Sequence, residues 1–292
     1  MVLKLHTIGI FQIYHKMITF NNIGYSGRLG NQLFQLATLL GTSKKKNYIP
    51  SIPVEKNKKE KPDGCLDLFT NKWISYKLNI FDCFDINIQD NNGINVENSY
   101  KEPHFHFDEN IFDIKDDTNI DGFFQSELYF KHIENDIKDL FVFNKNVQDK
   151  SNLILKEKKK TKLVSVHIRR SDYLGLQHQY NLLDVEYYQQ SINIFDDDTY
   201  QYFVFSDDIN WCKEVFGENE LIEYIEGNNQ YVDLYLMTQC DHNIIGNSTF
   251  SWWGAWLNKN KNKKVIAPSI WFNPNRKDLN TKDMIPKDWI KI

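Results

Sequence analysis

Over thirteen residues, Lys162-Leu-Val-Ser-Val-His167-Ile-Arg169-Arg170-Ser-Asp172-Tyr173-Leu174, an apolar run gives way to four ionisable side chains. Leu163, Val164 and Val166 predict a buried strand. His167, Arg169, Arg170 and Asp172 then fall at its carboxyl end, where open α/β sheets bind ligands. A guanidinium stays charged at any working pH, so adjacent arginines there call for an anion. Its planar donor fork suits two oxygens of a diphosphate. The plainer alternative is an Arg–Asp ion pair that closes the strand end.

Two further polar strand ends follow the first. Tyr202–Phe205 runs into Ser206, Asp207 and Asp208, and His242–Ile245 runs into Gly246-Asn247-Ser248-Thr249-Phe250-Ser251. Three hydroxyls (Ser248, Thr249, Ser251) and the free amides of a helix start make a phosphate cradle; capping alone accounts for one hydroxyl. Asp233, near the start of a helix over 230–240, offers a carboxylate to paired N–H donors of a guanine edge. Its alternative is a favourable helix-start charge.

The first half has its own candidate. Met17–Phe20 predicts a strand, Gly27-Arg28-Leu-Gly30-Asn31-Gln32 a turn, and Leu33, Leu36, Ala37 and Leu40 one face of a helix that Gly41 stops. No Gly-Lys-Ser/Thr follows and no G-x-G-x-x-G is present, which disfavours nucleotide hydrolases and dehydrogenases. A tight turn is the plainer account of Gly27 and Gly30. Gln125-Ser126-Glu127 lies between a strand at 120–124 and a helix through Tyr129, Ile133, Ile137 and Leu140. It points at the same crevice unless Ser126 is simply an N-cap.

Around these motifs strands and helices alternate, which predicts an α/β fold of two doubly wound halves facing across a cleft. The lysine-rich stretch 145–162 reads as the linker, and 53–118 as a polar insertion. The 292 residues suffice for two cores, and the net charge of −4 does not indicate a nucleic-acid surface. Cys65, Cys83, Cys212 and Cys240 show neither zinc spacing nor a disulfide framework, so a reducing compartment is expected. No apolar run reaches membrane-spanning length, residues 1–16 read as an extension, and the sequon at Asn247 is expected to be buried. Asp196-Asp197-Asp198 has the letters of a metal-binding D-x-D but reads as a polar turn.

The motifs around Arg28, Gln125, Arg169 and Asp207, with Asn247-Ser-Thr-Phe-Ser-Trp252-Trp253-Gly-Ala-Trp256, resemble the α-1,2-fucosyltransferases of glycosyltransferase family eleven over roughly residues 17–272. The His-x-Arg-Arg-x-Asp element is shared with α-1,6- and protein O-fucosyltransferases; the tryptophan run is more specific. Arg28 and Ser171 stand where glycine is common in the family. The resemblance implies a GT-B fold with two Rossmann-like domains, 17–150 on the acceptor side and 160–292 binding GDP-fucose. It also implies inverting transfer from GDP-β-L-fucose to O2 of a terminal β-galactose without a metal or other cofactor. The site expected from both lines has Arg169, Asp172, His167 and Glu127 in catalysis, with Asp172 or Glu127 as base. Arg28, Gly30, Asn31, Arg170, Ser206, Asp207, Asp233, Asn247, Ser248, Thr249 and Ser251 serve the donor, and Gln125, Ser126 and Tyr173 the acceptor. A cytoplasmic enzyme is expected, with no nucleic-acid partner. The competing readings are a fucosyltransferase of other linkage or protein acceptor, and a non-catalytic nucleotide-sugar binder on the same fold.

Overall fold

The computed structural model describes residues 16–24, 27–54, 64–67, 72–75, 79–91, 96–157, 162–195 and 199–292. The triplet 196–198 and most of the N-terminal extension lie outside them. In the first half, β1 (Met17–Thr19) is central and pairs in parallel with β2 (Ile49–Ile52) and with β7 (Thr118–Asp121). β5 (Gln89–Asp90) and β6 (Asn98–Lys101) extend that sheet, in the order β5-β2-β1-β7-β6. β3 (Gly64–Asp67) and β4 (Lys72–Ser75) form a separate antiparallel pair. The insertion at 53–118 thus contributes two strands to the sheet.

The second sheet is built on β8 (Lys162–Ile168), buried at every position after its first residue. β9 (Tyr200–Ser206) and β11 (His242–Ile244) flank it in parallel. β10 (Ile222–Tyr224), β12 (Val265–Ala267) and β13 (Ile290–Lys291) complete the order β10-β9-β8-β11-β12-β13. Strand pairs in both six- and five-stranded sheets are parallel, so each connection crosses over a face.

Helix α1 (Leu29–Lys46) is not stopped by Gly41. It runs on to Asn47, which closes it in the left-handed conformation at φ 55°. Gly41 instead lets the helix lie against Tyr129, because a Cβ there would sit 2.2 Å from the Tyr129 carbonyl. The helix expected through Tyr129 to Leu140 is broken into two 3-10 turns and α3 (Glu134–Leu140). α2 (Ile80–Cys83) is a single turn. The expected linker is largely α4 (Lys145–Lys156), an amphipathic helix that buries Val147 and Ser151.

In the second half α5 (Val185–Asn193) and α6 (Ile209–Phe216) cover one face of the sheet. α7 (Gln230–Gln239) and α8 (Thr249–Leu257) cover the other, and there the core is continuous with that of the first half. Trp252 and Trp253 of α8 meet Phe34 of α1 at ring-centroid distances of 4.5 and 5.0 Å. No helix among the described residues is long and apolar enough to cross a membrane.

Candidate active site

The carboxyl ends of β8, β9 and β11 open onto a cavity of about 540 Å³, closed on its far side by the N-terminus of α1 and by Gln125. It receives His167, Arg169, Asp172, Asp207, Ser248 and Thr249 from the second half, and Arg28 and Asn31 from the first. Tyr173, Ser206, Asp233 and Asn247 also line it.

Arg169 is held from two sides. Asp172 Oδ2 accepts from Nη2 at 2.5 Å, and Asp207 Oδ2 lies 3.0 Å from Nη1. Burial opposes the Arg169 charge, but Asp207 and Asp172 more than offset it and raise its pKa. A guanidinium has five N–H donors, so the fork is oriented without being used up. Arg28 reaches across the cleft to the same Asp172 oxygen at 3.5 Å. The plainer ion-pair account of this strand end is therefore present, and it serves to position a cation at the cavity wall.

Four of the residues lining this cavity each carry a buried polar atom without a hydrogen-bond partner: His167 Nδ1, Asp172 Oδ1, Asp233 Oδ1 and Asn247 Oδ1. Such atoms are costly unless a ligand satisfies them. Burial drives the His167 pKa down to about 4; Asp207 opposes this and Arg169 reinforces it. His167 is therefore neutral near pH 7. It packs beside the Phe250 ring at 5.7 Å.

Several expected contacts are corrected by geometry. Glu127 is buried outside the cavity, where its Oε2 accepts from Lys131 Nζ at 3.0 Å and Trp256 Nε1 at 3.1 Å. It is not placed to take a proton from an acceptor. Ser126 caps the following turn and donates to the Asp283 carbonyl, which is the plainer reading of that serine. Arg170 turns away, pairing with Asp208 at 3.2 Å over the Trp211 ring. Ser251 is buried inside α8 and donates to the carbonyls of Gly246 and Ser248. The helix starts at Thr249, so Ser248 is its N-cap.

Other residues line the cavity in altered roles. Asp207 spends its carboxylate on Arg169 and on the Arg170 backbone N–H. The Ser206 hydroxyl accepts from the Asp208 amide. Asn247, buried as expected, uses its amide to tie the carbonyls of Asn181 and Trp271. The Tyr173 hydroxyl is committed to the Asn247 carbonyl at 3.0 Å. Gly30 lets α1 approach α8, since a Cβ would lie 2.7 Å from the Phe250 amide nitrogen.

Gln125 does reach the cavity, donating to Asn31 Oδ1 at 2.8 Å. It is presented by a turn in which Gly122 has φ 157° and Phe124 has φ 53°, a conformation that needs support at a non-glycine residue. Glu102 supplies it by accepting from the amides of Phe123 at 2.7 Å and Phe124 at 3.0 Å. Burial pushes the Glu102 carboxyl up to about 7 although these two amides oppose the shift. Nothing in the polar stretch 53–118 singled Glu102 out. Among the described residues, no cluster of three or more His, Cys, Asp or Glu side chains could hold a metal ion.

Residues 4–292 match the family model for glycosyl transferase family 11. An α-1,2-colitosyltransferase of Escherichia coli is 38% identical over 59% of this chain and 61% of its own. The O-antigen biosynthesis glycosyltransferase WbnK of the same organism is 34% identical over 53% and 49%. Human galactoside alpha-(1,2)-fucosyltransferase 1 is 26% identical over 51% and 46%. The chain thus spans about half to three fifths of the length of these relatives. A crystal structure of POFUT1 in complex with GDP-fucose superposes with a TM-score of 0.53 at 13% identity, over 86% of this chain and 98% of that one. That likeness carries the GT-B fold.

Proposed function

The chain belongs to glycosyl transferase family 11, and we propose that it transfers L-fucose from GDP-β-L-fucose to O2 of a terminal β-galactose, with inversion, to give an α-1,2 linkage. The observation that carries this reading is the convergence on a single cavity of one oriented guanidinium, one helix N-terminus and four lining residues with an unsatisfied polar atom. Arg169 and the amides at the start of α8 receive the diphosphate, and Arg28 closes over it from the first half. As the glycosyl bond lengthens in an oxocarbenium-like transition state, negative charge grows on the β-phosphate. The preorganised Arg169 donors meet that charge. Asp172 Oδ1 takes the acceptor proton, since Oδ2 is engaged by the two arginines. No divalent cation is required, so EDTA is expected to leave turnover unchanged.

Asp233 receives guanine. Burial pushes its carboxyl up to about 7, against a hydrogen bond from Asn228. Pairing with the guanine N–H edge needs the carboxylate, so protons compete with GDP as the pH falls through the free-state pKa. Between pH 8 and pH 6 the apparent Kd for GDP is expected to rise about tenfold, and above pH 8 to level off. Asp233→Asn should weaken GDP about ten- to a hundredfold and remove that pH dependence. Calorimetric titration across this range checks both; a pH-independent wild-type Kd contradicts the assignment.

A second reading, transfer of a 3-deoxy analogue of fucose, rests on the E. coli colitosyltransferase relative. Comparing kcat/KM for GDP-fucose and GDP-colitose separates the two. Preference for GDP-fucose is the expected result, and tenfold or greater preference for GDP-colitose would replace it.

A further inference from the structure

We propose that the rings of Tyr180 and Phe272 form a shelf that takes the apolar face of the acceptor hexose, and so select galactosides. This rests on the fucosyl-transfer reading of the cavity.

The strand order arranges the cavity along one line. Asp207 follows β9, Asp233 opens the helix after β10, Arg169 ends β8, Ser248 follows β11, and Trp271 and Phe272 follow β12. With guanine at Asp233 and the diphosphate at Arg169 and Ser248, the transferred sugar and its acceptor lie toward β12. Leu176, Tyr180, Trp271 and Phe272 line that end.

These rings are fixed in place. Tyr180 stacks on the buried Tyr173 at 4.1 Å with planes 6° apart, and Phe272 lies 5.7 Å from Tyr180 with its plane tilted by 36°. Tyr180 and Phe272 also form an isolated antiparallel bridge between their two loops. Three asparagines pin those loops together. Asn273 binds the carbonyls of Gln177 and Gln179, Asn181 that of Ile270, and Asn247 those of Asn181 and Trp271. Phe272 meets Phe105 of the first half in a T-shaped contact at 5.0 Å, so the shelf reaches across the cleft.

Flat aromatic surface held this firmly favours a partner that is apolar on one face and polar at its rim. In a β-galactoside the axial O4 leaves the C–H bonds of C3, C4 and C5 on one side, an apolar patch that a ring covers without breaking hydrogen bonds. A β-glucoside, with O4 equatorial, lacks that continuous patch.

The test compares wild type with Phe272→Leu, which keeps apolar bulk against Phe105 but loses the flat face, and with Tyr180→Ala. Acceptor KM for a β-galactoside, galactoside-over-glucoside preference, and Kd for GDP-fucose are measured for each. The expected result is an acceptor KM raised about tenfold in each variant, a reduced galactoside preference, and an unchanged donor Kd. Restoration of the KM by Phe272→Tyr adds support. Wild-type transfer to galactosides with unaltered acceptor KM in both variants contradicts the shelf alone, as does a donor Kd that rises in step. Absence of wild-type transfer to any β-galactoside contradicts both the shelf and the reading it rests on.

Discussion

Arg169→Ala is expected to lower kcat at least about a hundredfold, the usual loss when one preorganised donor to developing charge is removed. The size follows from how the guanidinium is held. Asp172 and Asp207 fix its plane before substrate arrives, so little reorganisation remains for the reacting complex. Removing it also leaves two carboxylates facing each other across a partly buried site, which costs some stability. Arg169→Lys separates the effects: it keeps a charge between the carboxylates but loses the fork. Its melting temperature should approach wild type while its kcat stays depressed. Near-normal turnover by either variant in folded form removes Arg169 from this role.

Trp253→Ala is expected to destabilise the whole chain by about 3–5 kcal/mol, the range for deleting a large buried aromatic side chain. Trp253 is fully buried and touches Trp252, Trp256, Phe34, Phe130 and Phe141 at ring-centroid distances from 5.0 to 5.6 Å. Those rings come from α1, from the residues flanking α3 on either side and from α8, so both halves depend on this one residue. Denaturant unfolding should show a single transition moved to lower midpoint, with Trp253→Phe in between. Two separate transitions, with the first half lost alone, would contradict a shared core.

The central strand and its polar end were legible because a buried parallel strand is an unbroken apolar run, and the change at His167 is abrupt. Alternation of elements likewise exposed the two-sheet plan. Side-chain direction was not legible. Ser126, Glu127, Arg170 and Ser251 occupy strand-to-helix junctions, where capping and ion pairing require the same polar types as ligand binding. Only the fold shows that these four turn away from the cavity. The tryptophan run was recognisable as a motif, yet its physical task could not be seen: Phe34 and Phe130, which it packs against, are remote in sequence. Glu102, Tyr180 and Phe272 lie in irregular segments with no periodicity to mark them. They gain meaning through the Gly122–Phe124 turn and the Tyr180–Phe272 bridge.

The most direct test of the central claim is transfer from GDP-fucose to a panel of β-galactosides in the presence of EDTA, with the product linkage and anomeric configuration read by NMR. The account predicts fucose on galactose O2 in the α configuration, formed at the same rate with and without chelator. Fucose at another position, retention of the β configuration, or loss of turnover with EDTA would contradict it.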